Sequence, residues 1–161
     1  MKRPKKKRKT NRTKTKTRIE GPLNPLLTRR DELLADLQLW PDAHARLEYL
    51  MDLARERPAL AAEFQIEELR VEGCISNLWI RPEFRDGRCW FPCDADSMVV
   101  KSIAGLLCAF YSDAAPADIL ALDPTFLKEA GITQHLSSNR RNALTRVWGV
   151  IRNFAAQHLP A

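Results

Sequence analysis

The feature that most constrains the fold is a change of hydrophobic period partway along the chain. Leu33, Leu34 and Leu37, then Leu47, Leu50, Met51 and Ala54, recur at helical spacing. From Leu69 the pattern alternates instead, with Leu69 and Val71 among polar neighbours. Beyond Cys74, Ser76-Leu78-Ile80 and Ile75-Asn77-Trp79 form the two faces of a strand. The helical period returns at Val99, Ile103, Leu107 and Phe110, and again at Leu144, Val147, Trp148, Ile151 and Phe154. A helix–sheet–helix order in a chain of 161 residues predicts one α+β domain. We expect a small antiparallel sheet of about three strands, packed on one face by N- and C-terminal helices.

Local signals divide these segments. Thr28 is a candidate N-cap, and Pro41 ends the first helical run. Asp42 is placed to cap the second, which Pro58 ends. Asp86-Gly87 predicts a tight turn, because both residue types tolerate positive φ, and Arg88–Phe91 then returns as a partner strand. Gly73 and Cys74 fall in a break before this hairpin. Asp94 or Asp96 is a candidate cap for the next helix. Pro116 and Asp123-Pro124 open two short helices, the second stopped at Gly131, and Ser137 caps the last.

Charge is unevenly distributed. Residues 1–18 hold seven lysines, four arginines and no acid, whereas the rest of the chain holds 15 basic and 20 acidic side chains. The calculated pI near 9.4 therefore belongs to the tail. We expect residues 1–22 to be a disordered basic tail and linker, and residues 23–161 to be the folded domain. Such a tail is suited to RNA or an acidic partner, through a salt-sensitive contact. It has no apolar stretch of a secretory signal, no serine and no amphipathic pattern. No run approaches the ~20 apolar residues of a membrane span. The expectation is a cytoplasmic protein with reduced cysteines.

Four cysteines carry the chemistry to be explained: Cys74, Cys89, Cys93 and Cys108. Cys89 and Cys93 have a spacing that zinc ligands use, but the remaining ligands would have to come from distant Cys74 and Cys108. Cys108 falls beside an apolar helical stripe and reads as core, and Cys89 and Cys93 read as half-buried strand residues. We expect no metal. Cys74 lies in VEGCISNLW, where Gly73 permits a sharp turn and backbone N–H groups of a tight loop can stabilise a thiolate, the reactive form. Apolar neighbours equally suit a packed small residue. Pairing Cys74 with His135 or His44 for hydrolysis has no support beyond residue type. Phosphate-loop and dinucleotide fingerprints are absent.

Several segments, in order, resemble one family. RVEGCISNLWI looks like the cysteine loop of SufE-type cysteine desulfuration proteins. DADSMVVKSIAGLLCAFYSDAAPADILALD resembles the helices that follow it, and GITQHLSSNRR resembles the family's closing segment. LWPDAHARLEYLMDLARERPAL resembles its paired N-terminal helices. The resemblance implies a sulfur carrier without turnover of its own. Cys74 would accept sulfane sulfur as a persulfide from a SufS-type cysteine desulfurase and pass it to an Fe–S scaffold. Pyridoxal phosphate would reside on the desulfurase, and this chain would bind no cofactor. Gly73 and Ser76 match the loop that positions the thiol. Asp94 and Asp96 match the region beside it. His135 and Arg140 match the closing segment, where Arg140 would favour the thiolate or cap the last helix. Ile75 and Asn77 depart from the glutamines frequent in the family. Cys89 and Cys93 lie outside its motif and raise the question of whether either meets Cys74. The basic tail is foreign to the family. A second class of function remains, a nucleic-acid- or ribosome-associated protein with a basic arm and a structural Cys74. The two place function in different parts of the chain.

Overall fold

A computed structural model describes residues 23–161. The expectation for the basic tail and linker lies outside these residues. The chain begins with two helices of equal length, α1 (Pro25–Gln38) and α2 (Ala43–Glu56). Four short strands follow: β1 (Leu78–Ile80), β2 (Glu83–Arg85), β3 (Arg88–Trp90) and β4 (Cys93–Ala95). Then come α3 (Met98–Tyr111), α4 (Pro116–Ala121), α5 (Phe126–Glu129) and the long closing helix α6 (Ser138–Gln157).

The α+β class is as expected, but the sheet is not three-stranded. β1 pairs antiparallel with β4, and β2 with β3. The partners Leu78↔Ala95, Ile80↔Cys93, Glu83↔Trp90 and Arg85↔Arg88 keep one register, so the two pairs are halves of a single ribbon. The ribbon is interrupted at Pro82 and Pro92, which have no N–H to give to a ladder, although Arg81 N–H still donates to Pro92 O at 2.8 Å. The hairpin turn holds Asp86 at φ 53° and Gly87 at φ 75°, the pair of positive values that a two-residue turn requires. The missing third strand is the Leu69–Val71 run. Glu67–Leu69 is instead a 3₁₀ turn, and Arg70 chelates Glu67 with two hydrogen bonds of 3.0 and 2.9 Å. Only an Arg70↔Trp79 bridge and a Val71 N–H to Leu78 O bond of 2.7 Å remain of the pairing.

Helix α3 is the centre of the molecule. It packs against α2, α6 and β4, and buries residues on every side from Val100 to Tyr111. That all-round burial explains why its sequence is apolar beyond a single stripe. α6 contributes Leu144, Val147 and Ile151 to the same core, and α2 contributes Leu50 and Ala54. Tyr111, fully buried, donates its hydroxyl to Leu122 O at 2.7 Å, satisfying the one polar atom it brings inside.

Two caps differ from the sequence expectation. Asn24, not Thr28, caps α1: its side chain accepts from Leu26 N–H at 2.9 Å, with Pro25 in the first helical position where no donor is needed. Ser97, not Asp94 or Asp96, caps α3 through Val100 N–H. The carboxylates before it are committed to other partners. Asp42 and Ser137 cap α2 and α6 as expected, with Asp42 accepting from Ala45 N–H at 2.9 Å.

Candidate functional site

The break before the ribbon becomes a loop of residues 72–77, closed at its base by the Val71–Leu78 bond. Each shoulder of the loop is held. On one side Asn142 of α6 donates its side-chain N–H to Gly73 O at 3.1 Å. On the other, Asp96 N–H donates to Asn77 O at 3.1 Å, and Asn77 Nδ2 donates back to Asp96 Oδ2 at 3.0 Å. Between these clamps Cys74, Ile75 and Ser76 make no hydrogen bond with any described residue. Ile75 stands 81% exposed at the tip, while Cys74 is half-buried.

Gly73 is favoured by its backbone, and any side chain there would also displace Arg146. Its φ of +80° is a left-handed conformation that side chains resist. A Cβ there would also lie 2.9 Å from Arg146 Nε, because the Arg146 side chain crosses the glycine face.

Cys74 and Ser76 border a cleft of about 290 Å³ with Ser97, Ser137, Asn139 and Arg140. Ser97 and Ser137 are the N-caps of α3 and α6, so two long helices begin at this cleft. Helix N-termini carry partial positive charge and favour an anion beside them. A larger cleft of about 660 Å³ lies beside the same loop, bordered by Arg70, Glu72, Asn142 and Arg146. The Cys74 thiol is pushed above its ordinary value by burial, against the opposing pull of the Arg146 and Arg70 charges.

The sequence-predicted residues divide in space. Gly73, Cys74, Ser76 and Arg140 come together at the loop and its cleft, and Asp96 clamps the loop base. Arg140 N–H also donates to the capping Ser137 Oγ at 3.4 Å. Asp94 is buried. It accepts from Leu60 N–H at 3.0 Å and its own neighbour Ala95 N–H at 2.9 Å, and pairs with Lys101 at 3.3 Å. It ties the segment after α2 to β4. His135 is exposed on a 3₁₀ turn and does not border the Cys74 cleft. Asn142 and Arg146, which touch the loop, were not read from the sequence; their signal is a separation of four on α6, which places both on one helical face. Neither Cys89 nor Cys93 borders the Cys74 cleft. All four cysteines are free thiols, and no group of three or more potential ligands among the described residues could hold a metal ion.

Fold and site together define a small α+β protein that presents one half-sheltered thiol on a clamped loop at the mouth of two helix N-termini. Residues 31–155 match the model of the SufE family, the Fe–S metabolism associated domain. The chain belongs to that family. It is 32% identical over 135 residues to SufE-like protein 1, chloroplastic/mitochondrial, of Arabidopsis thaliana, a match covering 83% of this chain and 36% of that longer protein. It is 30% identical over 132 residues to an uncharacterized SufE-like protein of Rhizobium etli, covering 78% and 88%. The solution structure of a hypothetical protein from Thermus thermophilus shares the fold, with a TM-score of 0.66 at 18% identity over 83% of this chain and 97% of that one. No helix among the described residues is long and apolar enough to cross a membrane.

Proposed function

We propose that this chain is a sulfur carrier, with Cys74 as the acceptor and residues 23–161 as the acceptor domain. The observation that supports it is the loop: a thiol at an unbonded tip, between two clamped shoulders, beside two helix N-termini and Arg140. The Cys74 thiolate attacks the outer sulfur of a persulfide on a SufS-type cysteine desulfurase. A bond forms from Cys74 Sγ to that sulfur, the donor's S–S bond breaks, and the donor leaves as a thiolate. Pyridoxal phosphate serves the donor, where the sulfur is first freed from cysteine. The Cys74 persulfide then yields its outer sulfur by the same exchange to a thiol of an Fe–S scaffold, in the cytoplasm. The chain's own residues hold the sulfur anion. Arg146, Arg70 and the helix N-termini supply positive potential, and the loop keeps the sulfur partly out of water.

The test mixes the full chain with a SufS-type desulfurase, pyridoxal phosphate and free cysteine, and reads intact and peptide masses. One added sulfur on the Cys74 peptide, removed by dithiothreitol and absent in Cys74→Ser, is expected. Deleting residues 1–18 should leave that gain intact. An unmodified Cys74 peptide beside a working desulfurase overturns the proposal.

A further inference from the structure

A second pair of thiols lies away from Cys74. Cys93 of β4 and Cys108 of α3, two elements packed against each other, border one cavity of about 330 Å³. Arg57, Arg81 and Arg85 border it too, and no carboxylate does. Arg81 pairs with Glu83 at 3.2 Å, and Arg85 stands 4.5 Å over the Trp90 ring. Arg57 is different. It has no ion pair among the described residues, and its Nη1 is buried with no hydrogen-bond acceptor. The fold makes room for it: a Cβ on Gly105 would lie 2.5 Å from that nitrogen. With glycine at 105, the guanidinium lies against the α3 backbone without having to shift aside. A half-buried cation without a counter-ion is also costly. The groups able to supply the missing negative charge are the two sulfurs.

We propose that Cys93, which shares this cavity with Arg57 and Cys108, is a second reactive thiol, and that it reduces hydroperoxides with Cys108 as its resolving partner. The Cys108 thiol and the Arg57 charge hold Cys93 below the usual thiol range, against burial and the nearby Asp94 carboxylate; Lys101 adds to the pull. Cys108, raised by Cys93 and by its full burial, is held well above it. The two sulfurs thus divide the roles of nucleophile and proton-bearing resolver. In the first step the Cys93 thiolate attacks one peroxide oxygen. The O–O bond breaks, hydroxide leaves and takes up a proton as water, and Cys93 becomes a sulfenic acid. In the second, the Cys108 sulfur attacks Cys93 Sγ. The S–O bond breaks, a second water leaves with the Cys108 proton, and a Cys93–Cys108 disulfide remains. Two thiols have given two electrons to one peroxide. This site does not depend on the sulfur-carrier reading.

Hydrogen peroxide is the probe, applied to the full chain carrying Cys74→Ser. The expected product has lost two hydrogens and yields a Cys93–Cys108 cross-linked peptide, while Cys89 in the same molecule stays reduced. With Cys108→Ser added, Cys93 should stop as a sulfenic acid that dimedone traps. Arg57→Gln should slow oxidation by about tenfold, the equivalent of one pK unit. Should Arg57→Gln not fold, the ratio of Cys93 to Cys89 modification decides alone. Equal oxidation of Cys93 and Cys89, an unchanged rate in folded Arg57→Gln, or a Cys74–Cys93 disulfide in the unsubstituted chain overturns the proposal.

Discussion

Asp94→Ala separates a structural carboxylate from a chemical one. Asp94 is 7% exposed and holds three partners: Leu60 N–H at 3.0 Å, Ala95 N–H at 2.9 Å and Lys101 Nζ at 3.3 Å. The Lys101 side chain is itself only 16% exposed, so the substitution leaves a nearly buried ammonium without its counter-ion. Removing one partner of a buried pair costs about 3–5 kcal/mol, and the partial exposure of Lys101 places this case near the lower end. For a chain of this size each kcal/mol lowers Tm by about 2–4 °C, so a fall of roughly 6–12 °C is expected. Urea titration followed by tryptophan fluorescence measures the free energy directly. Lys101→Met in the Asp94→Ala background should recover part of the loss, because the stranded charge is gone and only the Leu60 and Ala95 donors remain unpaired. At a temperature where Asp94→Ala is fully folded, sulfur acceptance by Cys74 should equal that of the unsubstituted chain. A loss under 1 kcal/mol, or additive effects of the two substitutions, refutes the buried-pair account. Full stability with lost sulfur acceptance would move Asp94 into the chemistry instead.

Three further outcomes follow from the same contacts. Iodoacetamide labelling of Cys74 should keep accelerating above pH 9, since burial raises its thiol; Arg146→Ala should reduce thiolate at a fixed pH by up to a factor of about five, and an unchanged pH profile counts against the Arg146 contact. Gly73→Ala should cost about 1–2 kcal/mol of strain at φ +80°, relieved by distortion of the loop; slower sulfur acceptance with a small Tm change is expected, and normal rates would show the loop geometry to be immaterial. The fully buried Cys89 thiol is pushed up to about 11 from an ordinary 9.0, so its contribution to stability is whole below pH 9 and lost as pH rises through about 11. Denaturation across that window should show a falling stability that Cys89→Ala flattens, and identical slopes in both proteins would contradict the burial.

The helix–ribbon–helix order and most helix ends were legible because each rests on local chemistry: Asp42, Asp86-Gly87, Gly131 and Ser137 act within a few residues of themselves. The third strand misled because alternation in Leu69–Val71 is a weak signal over so short a run, and the Arg70–Glu67 pair favours a turn that alternation cannot register. Cys74 was found from its neighbours Gly73 and Ser76 and from the family resemblance. Its clamps were not. Asn142 reaches Gly73 across 69 positions, and Arg146 sits beside it, so both contacts are products of the packing of α6 against the ribbon end. Arg57 was invisible for the same reason: one residue past α2 it reads as an ordinary exposed arginine, and only Gly105, far along the chain, reveals that space was left for it.

The two thiol environments are opposite in sign, and that contrast bears on how a carrier could be controlled. Burial outweighs Arg146 and Arg70 at Cys74, so the free loop holds mostly thiol, the less reactive form. Arg146 and Arg70 offset only part of that rise while water screens them, because exposed charges act through a high dielectric. A desulfurase seated over Ile75, the most exposed point of the loop, would exclude water from the cleft that Arg140 and the two helix N-termini border. The same charges then act through a lower dielectric, and the thiolate is favoured when a donor persulfide is present provided their strengthened pull exceeds the added burial of the sulfur. At Cys93 the balance is already reversed by Cys108 and Arg57 without any partner. On this reasoning Cys74 is quiet alone and reactive in a complex, while Cys93 is reactive alone. Labelling both thiols with and without a desulfurase distinguishes them: binding should accelerate Cys74 relative to Cys93, and a partner that leaves the ratio unchanged would remove desolvation as the source of activation.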